Sequence, residues 1–245
     1  MYYQYNLIMQ KIILFIINFF DYFHKKKILS FLKRNNHTDF NIFFDIGAHK
    51  GETIDLFMQN FNINKFYSFE ASPKNFEILK KNVSKYKNKK IYIENVAIGS
   101  SSEKTSLKQV QESSSSTLTN INLDSKYFKK KKLLLNFFSK KKYYTNISIE
   151  IKTLYDYLNS KLIQNIDFLK IDTEGYEFKV LLGLKNKLLN VKIVLFEHHY
   201  DDMLKKGYTF TDINTLLVKH NFKQIYKTKM PFRKTFEYIY QNGSS

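Results

Sequence analysis

Ile42-Phe43-Phe44-Asp45-Ile46-Gly47-Ala48-His49-Lys50-Gly51-Glu52 compresses a strand, a turn and the start of a helix into one short stretch. The apolar run Ile42–Phe44 reads as a buried strand that ends in Asp45. Gly47 and Gly51 then stand four residues apart, and a helical pattern begins at Glu52 and runs to Asn60. A strand that turns through glycines into a helix lets backbone amides come close to a ligand. The order Asp-x-Gly-x-x-x-Gly differs from the Gly-x-Gly-x-x-Gly of dinucleotide dehydrogenases, so hydride transfer on a nicotinamide is disfavoured. No Gly-Lys-Ser/Thr follows, so the turn is not a P-loop. On its own the stretch is equally an ordinary strand–helix turn.

The segments beyond it remove that ambiguity. A second apolar strand, Phe66–Phe69, ends in Glu70, near the offset of about 20 residues at which an acidic side chain meets ribose hydroxyls. Pro73 opens a helix over 74–86 with Phe76, Leu79 and Val83 on its core side. A third strand, Ile91–Val96, runs into Ala97-Ile98-Gly99, and a fourth, 166–171, leads into Asp172-Thr173-Glu174-Gly175-Tyr176-Glu177. Strand five, Val191–Phe196, ends in Glu197-His198-His199. Asp45-Ile-Gly-Ala-His-Lys-Gly51, Phe69-Glu-Ala-Ser-Pro73, Thr153-Leu-Tyr-Asp-Tyr-Leu158 and Leu169-Lys-Ile-Asp-Thr-Glu-Gly-Tyr-Glu177 are ordered and spaced as in one known family. Over about residues 40–200 the chain resembles the FkbM methyltransferases, class I enzymes dependent on S-adenosylmethionine.

The resemblance implies an α/β, Rossmann-like class I methyltransferase fold. Its sheet is a mostly parallel seven-stranded one with an antiparallel C-terminal strand, here preceded by an N-terminal helix. It also implies S-adenosyl-L-methionine as cofactor. In open α/β sheets ligands lie beyond the carboxyl ends of the strands, and Asp45, Glu70, Asn95, Asp172 and Glu197 all fall at such ends. The turn at Gly47, Ala48 and Gly51 is expected at the methionine end of the cofactor, Glu70 at its ribose hydroxyls, and Asn95 with Val96 beside the adenine, with Asp45 also among the cofactor-binding residues. Asp172 is the first candidate for the catalytic side, followed by Glu174 and His198, an imidazole being able to act as a base near neutrality. His49 fills the variable position of the first motif. Asp172, Glu174, His198 and Asp201 have donor types suited to a divalent cation, but no spacing demands one and no metal is assigned.

Composition bounds the partners. Lys and Arg number 40 against 22 Asp and Glu, a net charge of +18, in 245 residues. Such a charge bears on partners rather than on fold, and glycans, anionic lipid and nucleic acid are all admissible. There is no cysteine, hence no disulfide, thiolate nucleophile or zinc–thiolate site. Residues 1–40 form an apolar and basic helical segment. Leu7–Phe23 is interrupted by Lys11, Asn18 and Asp21 and followed by Lys25-Lys26-Lys27, so it is a poor membrane span. A secretory leader is not read either, because basic residues ahead of the run and a cleavage site are missing. A helix that packs on the sheet or lies at a membrane surface is expected, in a cytoplasmic or membrane-peripheral chain. The methyltransferase domain is read as 41–240, with a basic insert at about 100–146 and a frayed tail at 241–245. The insert holds Ser113–Ser116 and eight lysines in 126–142, a solvated loop or a flap facing substrate or membrane. Phe222–Lys227 and Thr235–Tyr240 are read as a closing hairpin around Met230-Pro231.

The resemblance favours O-methylation of a sugar hydroxyl in a glycan or lipid-linked saccharide. Nucleic acid is the rival partner, suggested by charge. Base N-methylation is opposed by the absence of an Asn/Asp-Pro-Pro-aromatic loop after strand four, where the chain reads Asp172-Thr173-Glu174-Gly175-Tyr176. Ribose 2′-O-methylation is less easily dismissed, since Lys170, Asp172 and Glu197 are available.

Overall fold

The computed structural model describes residues 2–110, 116–135 and 143–243. Its long first helix, α1 (Tyr2–Arg34), precedes the alternating strands and helices that the apolar runs predict. In chain order these are β1 (Asp39–Ile46), α2 (Glu52–Met58), β2 (Asn62–Phe69), α3 (Pro73–Val83), β3 (Lys90–Glu94), β4 (Ala97–Ile98), β5 (Glu103–Val110), β6 (Asn120–Ile121) and α4 (Lys126–Leu135). Then follow β7 (Tyr144–Lys152), α5 (Leu154–Ser160), β8 (Ile166–Ile171), α6 (Glu177–Leu182), β9 (Val191–His199), β10 (Leu204–Lys205), α7 (Phe210–Lys219), β11 (Phe222–Lys229) and β12 (Thr235–Asn242).

The main sheet has seven strands in the order β11-β12-β9-β8-β1-β2-β3. The strands from β9 to β3 run parallel, and β12 lies antiparallel between β11 and β9. Because β1 pairs with β2 on one side and β8 on the other, strand order reverses there, and in open α/β sheets the crevice that takes a ligand lies beyond the carboxyl end of such a strand. Both faces are covered, which explains the near-continuous apolar runs in the central strands. On one face Phe43 stacks between Phe66 at 4.4 Å and Phe168 at 4.8 Å, under Ile54 and Phe57 of α2, Leu79 of α3 and Ile28, Leu29 and Leu32 of α1. On the other, Phe44, Ile171 and Phe196 pack with Leu154, Val180, Ile213 and Leu217 of α5, α6 and α7. Local signals set the helix starts. The Ser72 hydroxyl accepts from the Asn75 amide, Thr153 from Asp156, and Thr209 and Asp212 cap each other reciprocally.

Four expectations change. The insert is largely ordered, because β4, β7 and β5 form a second, three-stranded sheet and β6 pairs with β10. Of its lysine run, 136–142 lie outside the described residues, as do 111–115 of the polar run. After strand four the sequence pattern predicts a helix over 176–189, and the observed α6 stops at Leu182. Gly183 follows, where a Cβ would lie 2.0 Å from the Gly99 carbonyl oxygen, and the chain continues as a short 3-10 helix over Lys185–Asn190. Strand β12 runs through Asn242, whose amide donates to the Leu189 and Val191 carbonyls at 3.1 and 3.2 Å, so the tail is tied down there. Helix α1 is longer than the apolar run and takes in Lys25–Lys27, Lys33 and Arg34.

Candidate active site

The carboxyl end of β1 carries Asp45, which is 0% exposed because β2 and β8 flank it. In-register pairing puts Lys170 beside it, with Nζ 3.4 Å from Asp45 Oδ1 and 3.1 Å from Asp172 Oδ2. Burial opposes the ammonium, but the Asp172 and Asp45 carboxylates hold it charged, above the ordinary lysine range. Burial also disfavours the Asp172 carboxylate, and Lys170 outweighs that effect and keeps it ionised. Asp45 is pushed upward by burial despite Lys170. Asp45 Oδ1 thus faces the Lys170 ammonium, and Oδ2 has no hydrogen-bond partner among the described residues.

The following turn is sewn to its neighbours. Gly47, at φ 86°, lies so close to β8 that a Cβ there would stand 1.8 Å from the Asp172 carbonyl oxygen. The Asp172 amide donates to the Ile46 carbonyl at 2.9 Å. The amides of Gly47 and Ala48 both donate to the Phe69 carbonyl, at 3.0 and 2.9 Å. The His49 and Ser72 amides each donate to one oxygen of Glu70 at 2.8 Å, so this carboxylate joins the loops after β1 and β2. Burial pushes Glu70 up to about 7, although both amides pull the other way. Asn95 is exposed and donates to the Glu70 carbonyl at 2.8 Å, while Val96 is buried in the core. Gly51, at φ 95°, points at Leu79 Cδ1, 3.0 Å from where its Cβ would stand, and not at the crevice.

Strand parity decides which side chains share a face with Asp172. Ile171 pairs with Phe196, so Asp172 stands level with Glu197, and Glu197 and His199 share a face of β9. The His199 Nε2 lies 3.0 Å from Glu197 and 3.3 Å from Glu174, and its Nδ1 lies 3.1 Å from the Thr235 hydroxyl and 3.6 Å from Asp201. Burial opposes its charge, yet Asp201, Glu174 and Glu197 raise the imidazole well above its usual range. Burial, with repulsion from Asp172, pushes Glu197 up to about 7 against the pull of His199. His198 is not part of this group. It points to the opposite face among Tyr200, Phe210 and Tyr208, with Nε2 3.3 Å from Lys206 Nζ, and burial drives it down to about 3. The sequence expectation of His198 beside Asp172 and Glu174 thus gives way to His199. Counting residues from Lys170 through the β8–β9 pairing was the signal that could have found it.

Asp172 is 36% exposed and Glu174, at φ 51°, belongs to a loop clamped from two sides. The Glu177 carboxylate accepts from the Thr173 amide and hydroxyl and the Gly175 amide at 3.3, 3.2 and 2.9 Å. From the insert, the Thr117 hydroxyl donates to the Glu174 carbonyl at 2.6 Å and Thr119 to the Gly175 carbonyl at 2.9 Å. Helix α1 closes over the same edge. His24 bonds Glu237, which pairs with Glu197 across β12 and β9, and Asp21 meets Arg233 at 2.8 Å. Among the described residues no group of three or more His, Asp or Glu is arranged as a metal site.

The comparisons with known proteins bear on the family and the fold. The family model described as the Methyltransferase FkbM domain matches residues 45–224. No curated protein sequence matches the chain. Among solved structures, the FkbM methyltransferase of Methylobacillus flagellatus KT is similar with a TM-score of 0.53 at 13% identity, over 82% of this chain. The chain spans 43% of that protein. The magnesium protoporphyrin IX methyltransferase of Synechocystis PCC 6803, with bound cofactor, is similar with a TM-score of 0.52 at 8% identity, over 93% of this chain and 82% of that one. At these identities the likeness bears on fold alone, and the family match carries the assignment: the chain belongs to the FkbM family of S-adenosylmethionine-dependent methyltransferases.

Proposed function

We propose that the chain transfers a methyl group to a hydroxyl of a sugar, in a glycan or a lipid-linked saccharide. The observation that supports this most is the grouping of Lys170, Asp172, Glu174, Glu197 and His199 on one face of adjoining strand ends, next to the glycine turn. Carboxylates and an imidazole are the groups that both hold sugar hydroxyls and remove a proton from one.

The residues present fit the cofactor. Asp45 offers a buried carboxylate whose Oδ2 has no hydrogen-bond partner among the described residues, and the Gly47 contact with the end of β8 leaves no room for a side chain. When bound, S-adenosylmethionine supplies an electrophilic methyl on a sulfonium. In this reading Asp45, Gly47 and Ala48 hold its methionine end, and Glu70 accepts from its ribose hydroxyls. Asn95 and Val96 flank the adenine, Asn95 by bracing the Glu70 backbone. Gly51 acts on the turn from its core side.

On the acceptor side Asp172, kept ionised by Lys170, is a poor base at neutrality but a strong hydrogen-bond acceptor. It would orient the attacking hydroxyl. Glu197, poised at about 7, is matched to accept the hydroxyl proton. His199 and Glu174 would hold Glu197 in place. Alignment of this kind contributes on the order of 7–11 kcal/mol in favourable intramolecular models.

Methylation of an RNA ribose hydroxyl is the second reading, favoured by the net charge of +18 and by the Lys170–Asp172 pair near Glu197. Incubating the chain with methyl-labelled cofactor and separate glycan, lipid-linked saccharide and RNA fractions tests both. The expected result is label in a saccharide fraction that survives ribonuclease. Label confined to RNA, with binding that weakens steeply with salt, would overturn the sugar assignment, and label in no fraction would count against both.

A further inference from the structure

Helix α1 presents two distinct faces near its middle. Asp21, His24 and Ile28 turn toward the sheet, where they meet Arg233, Glu237 and the core. Ile16, Phe19, Phe20 and Phe23, spaced three, four and seven apart, form an exposed stripe on the other side. The stripe is continued by the β11–β12 hairpin. Phe232 at its tip is 73% exposed, sits at φ 61°, and meets Phe20 at 5.1 Å. Phe19 meets Phe23 at 4.9 Å, and Tyr22 meets Phe23 at 5.5 Å. A bulky residue held in the left-handed region with its ring in water is costly twice over, and contiguous apolar patches of this kind mark interaction surfaces.

Cations surround these rings. Lys25, Lys26 and Lys27 follow on α1, with Lys26 Nζ 4.6 Å from the Tyr22 ring, and Lys229 and Lys234 bracket the hairpin tip. The nearby acids Asp21 and Glu237 are already paired with Arg233 and His24. A second copy of the chain would bring the same lysines against one another. An anionic lipid surface complements them and takes up the aromatics at headgroup depth. No described helix is long and apolar enough to cross a membrane, so contact would be peripheral.

We propose that Phe19, Phe20, Phe23 and Phe232, with Lys25–Lys27, form a docking surface for the anionic face of a lipid bilayer. Strand β12 carries both Phe236, next to the hairpin, and Glu237, opposite Glu197. Docking there brings the acid–base face close to the headgroups, where the hydroxyls of a lipid-linked saccharide lie. That last step rests on the proposed sugar reading, whereas the docking surface does not.

Flotation of the full chain with vesicles of phosphatidylcholine, alone or mixed with phosphatidylglycerol, tests it. Wild type should float with the anionic vesicles only, and less as salt rises. The triple variant Phe20→Ser, Phe23→Ser, Phe232→Ser should lose roughly tenfold or more of the binding. Each of Lys25→Ala, Lys26→Ala and Lys27→Ala should cost up to about fivefold. All these side chains are exposed, so melting temperatures should match wild type. Wild type that stays unbound at low salt, or a triple variant that floats as well as wild type, overturns the proposal. So does a concentration-dependent dimer that the triple variant abolishes without vesicle binding, which assigns the patch to a second copy. Flotation needs no turnover, so its failure leaves methyl transfer untouched, and absent transfer with intact flotation fails only the sugar reading.

Discussion

Lys170 shows how a single residue gives the site its polarity. A lysine between Leu169 and Ile171 on a central strand is exceptional, because a buried ammonium is tolerated only when paired. Its partners, Asp45 and Asp172, come from the two strand ends that frame the crevice. Asp172→Asn should therefore lower turnover by about 10²-fold or more, with cofactor affinity nearly unchanged. Single-turnover kinetics beside equilibrium binding checks this. A lowered melting temperature with an unaltered rate per folded molecule would make Asp172 structural only. Asp45, Glu70 and Asp172 were legible in sequence because an acidic residue closing an apolar run is a local pattern. His199 was not separable from His198 that way, since adjacent strand residues differ only in the face they take, and β8–β9 register decides it. The Thr117 and Thr119 props were hidden for a similar reason, their partners Glu174 and Gly175 being more than fifty residues away.

At the level of elements, the close meeting of the β1–α2 turn with the end of β8 is the tightest constraint. Gly47 and Gly51 both have left-handed φ, 86° and 95°, so the conformational cost of alanine is similar at each. Their surroundings differ. A Cβ at 47 runs into backbone at 1.8 Å, whereas at 51 it meets the Leu79 Cδ1 methyl at 3.0 Å, which can turn away. Gly47→Ala should thus be the more destabilising in chemical denaturation, by about 1–3 kcal/mol. Equal losses would mean that the turn and β8 are not held in this contact. The strand–helix alternation was readable because apolar runs and helical periods alternate along β1 to α3 and β8 to α7, with side-chain caps at Ser72 and Thr209 marking the starts of α3 and α7. Of the β4-β7-β5 sheet only the alternation over 147–152 was readable, since β5 alternates weakly, lies between the serine runs Ser100–Ser102 and Ser113–Ser116, and pairs with a strand that follows α4.

Taken whole, the molecule joins a site built on rigid strand ends to a helix that lies across the same edge. Basic charge is spread along the chain and does not by itself name a partner. The aromatic stripe on α1 acquires meaning only when Phe232, more than two hundred residues away, is seen beside it. The N-terminal run suggested a packed or a surface helix, and α1 is packed from Asp21 onward while exposing a stripe at Ile16–Phe23.

Calorimetric titration of the chain with S-adenosylmethionine tests the central claim, that the crevice at the β1 and β2 ends holds the cofactor, most directly. Glu70 is raised to about 7 in the free protein, so below that pH it carries a proton. Ribose hydroxyls donate to the ionised carboxylate, so binding must release that proton. The predicted result is micromolar affinity that is fully present above about pH 7 and falls by up to about tenfold per pH unit below it. Glu70→Gln should weaken binding by on the order of 1.5–3 kcal/mol and flatten this dependence. No binding by wild type, or a folded Glu70→Gln variant with wild-type affinity and pH profile, would contradict the account.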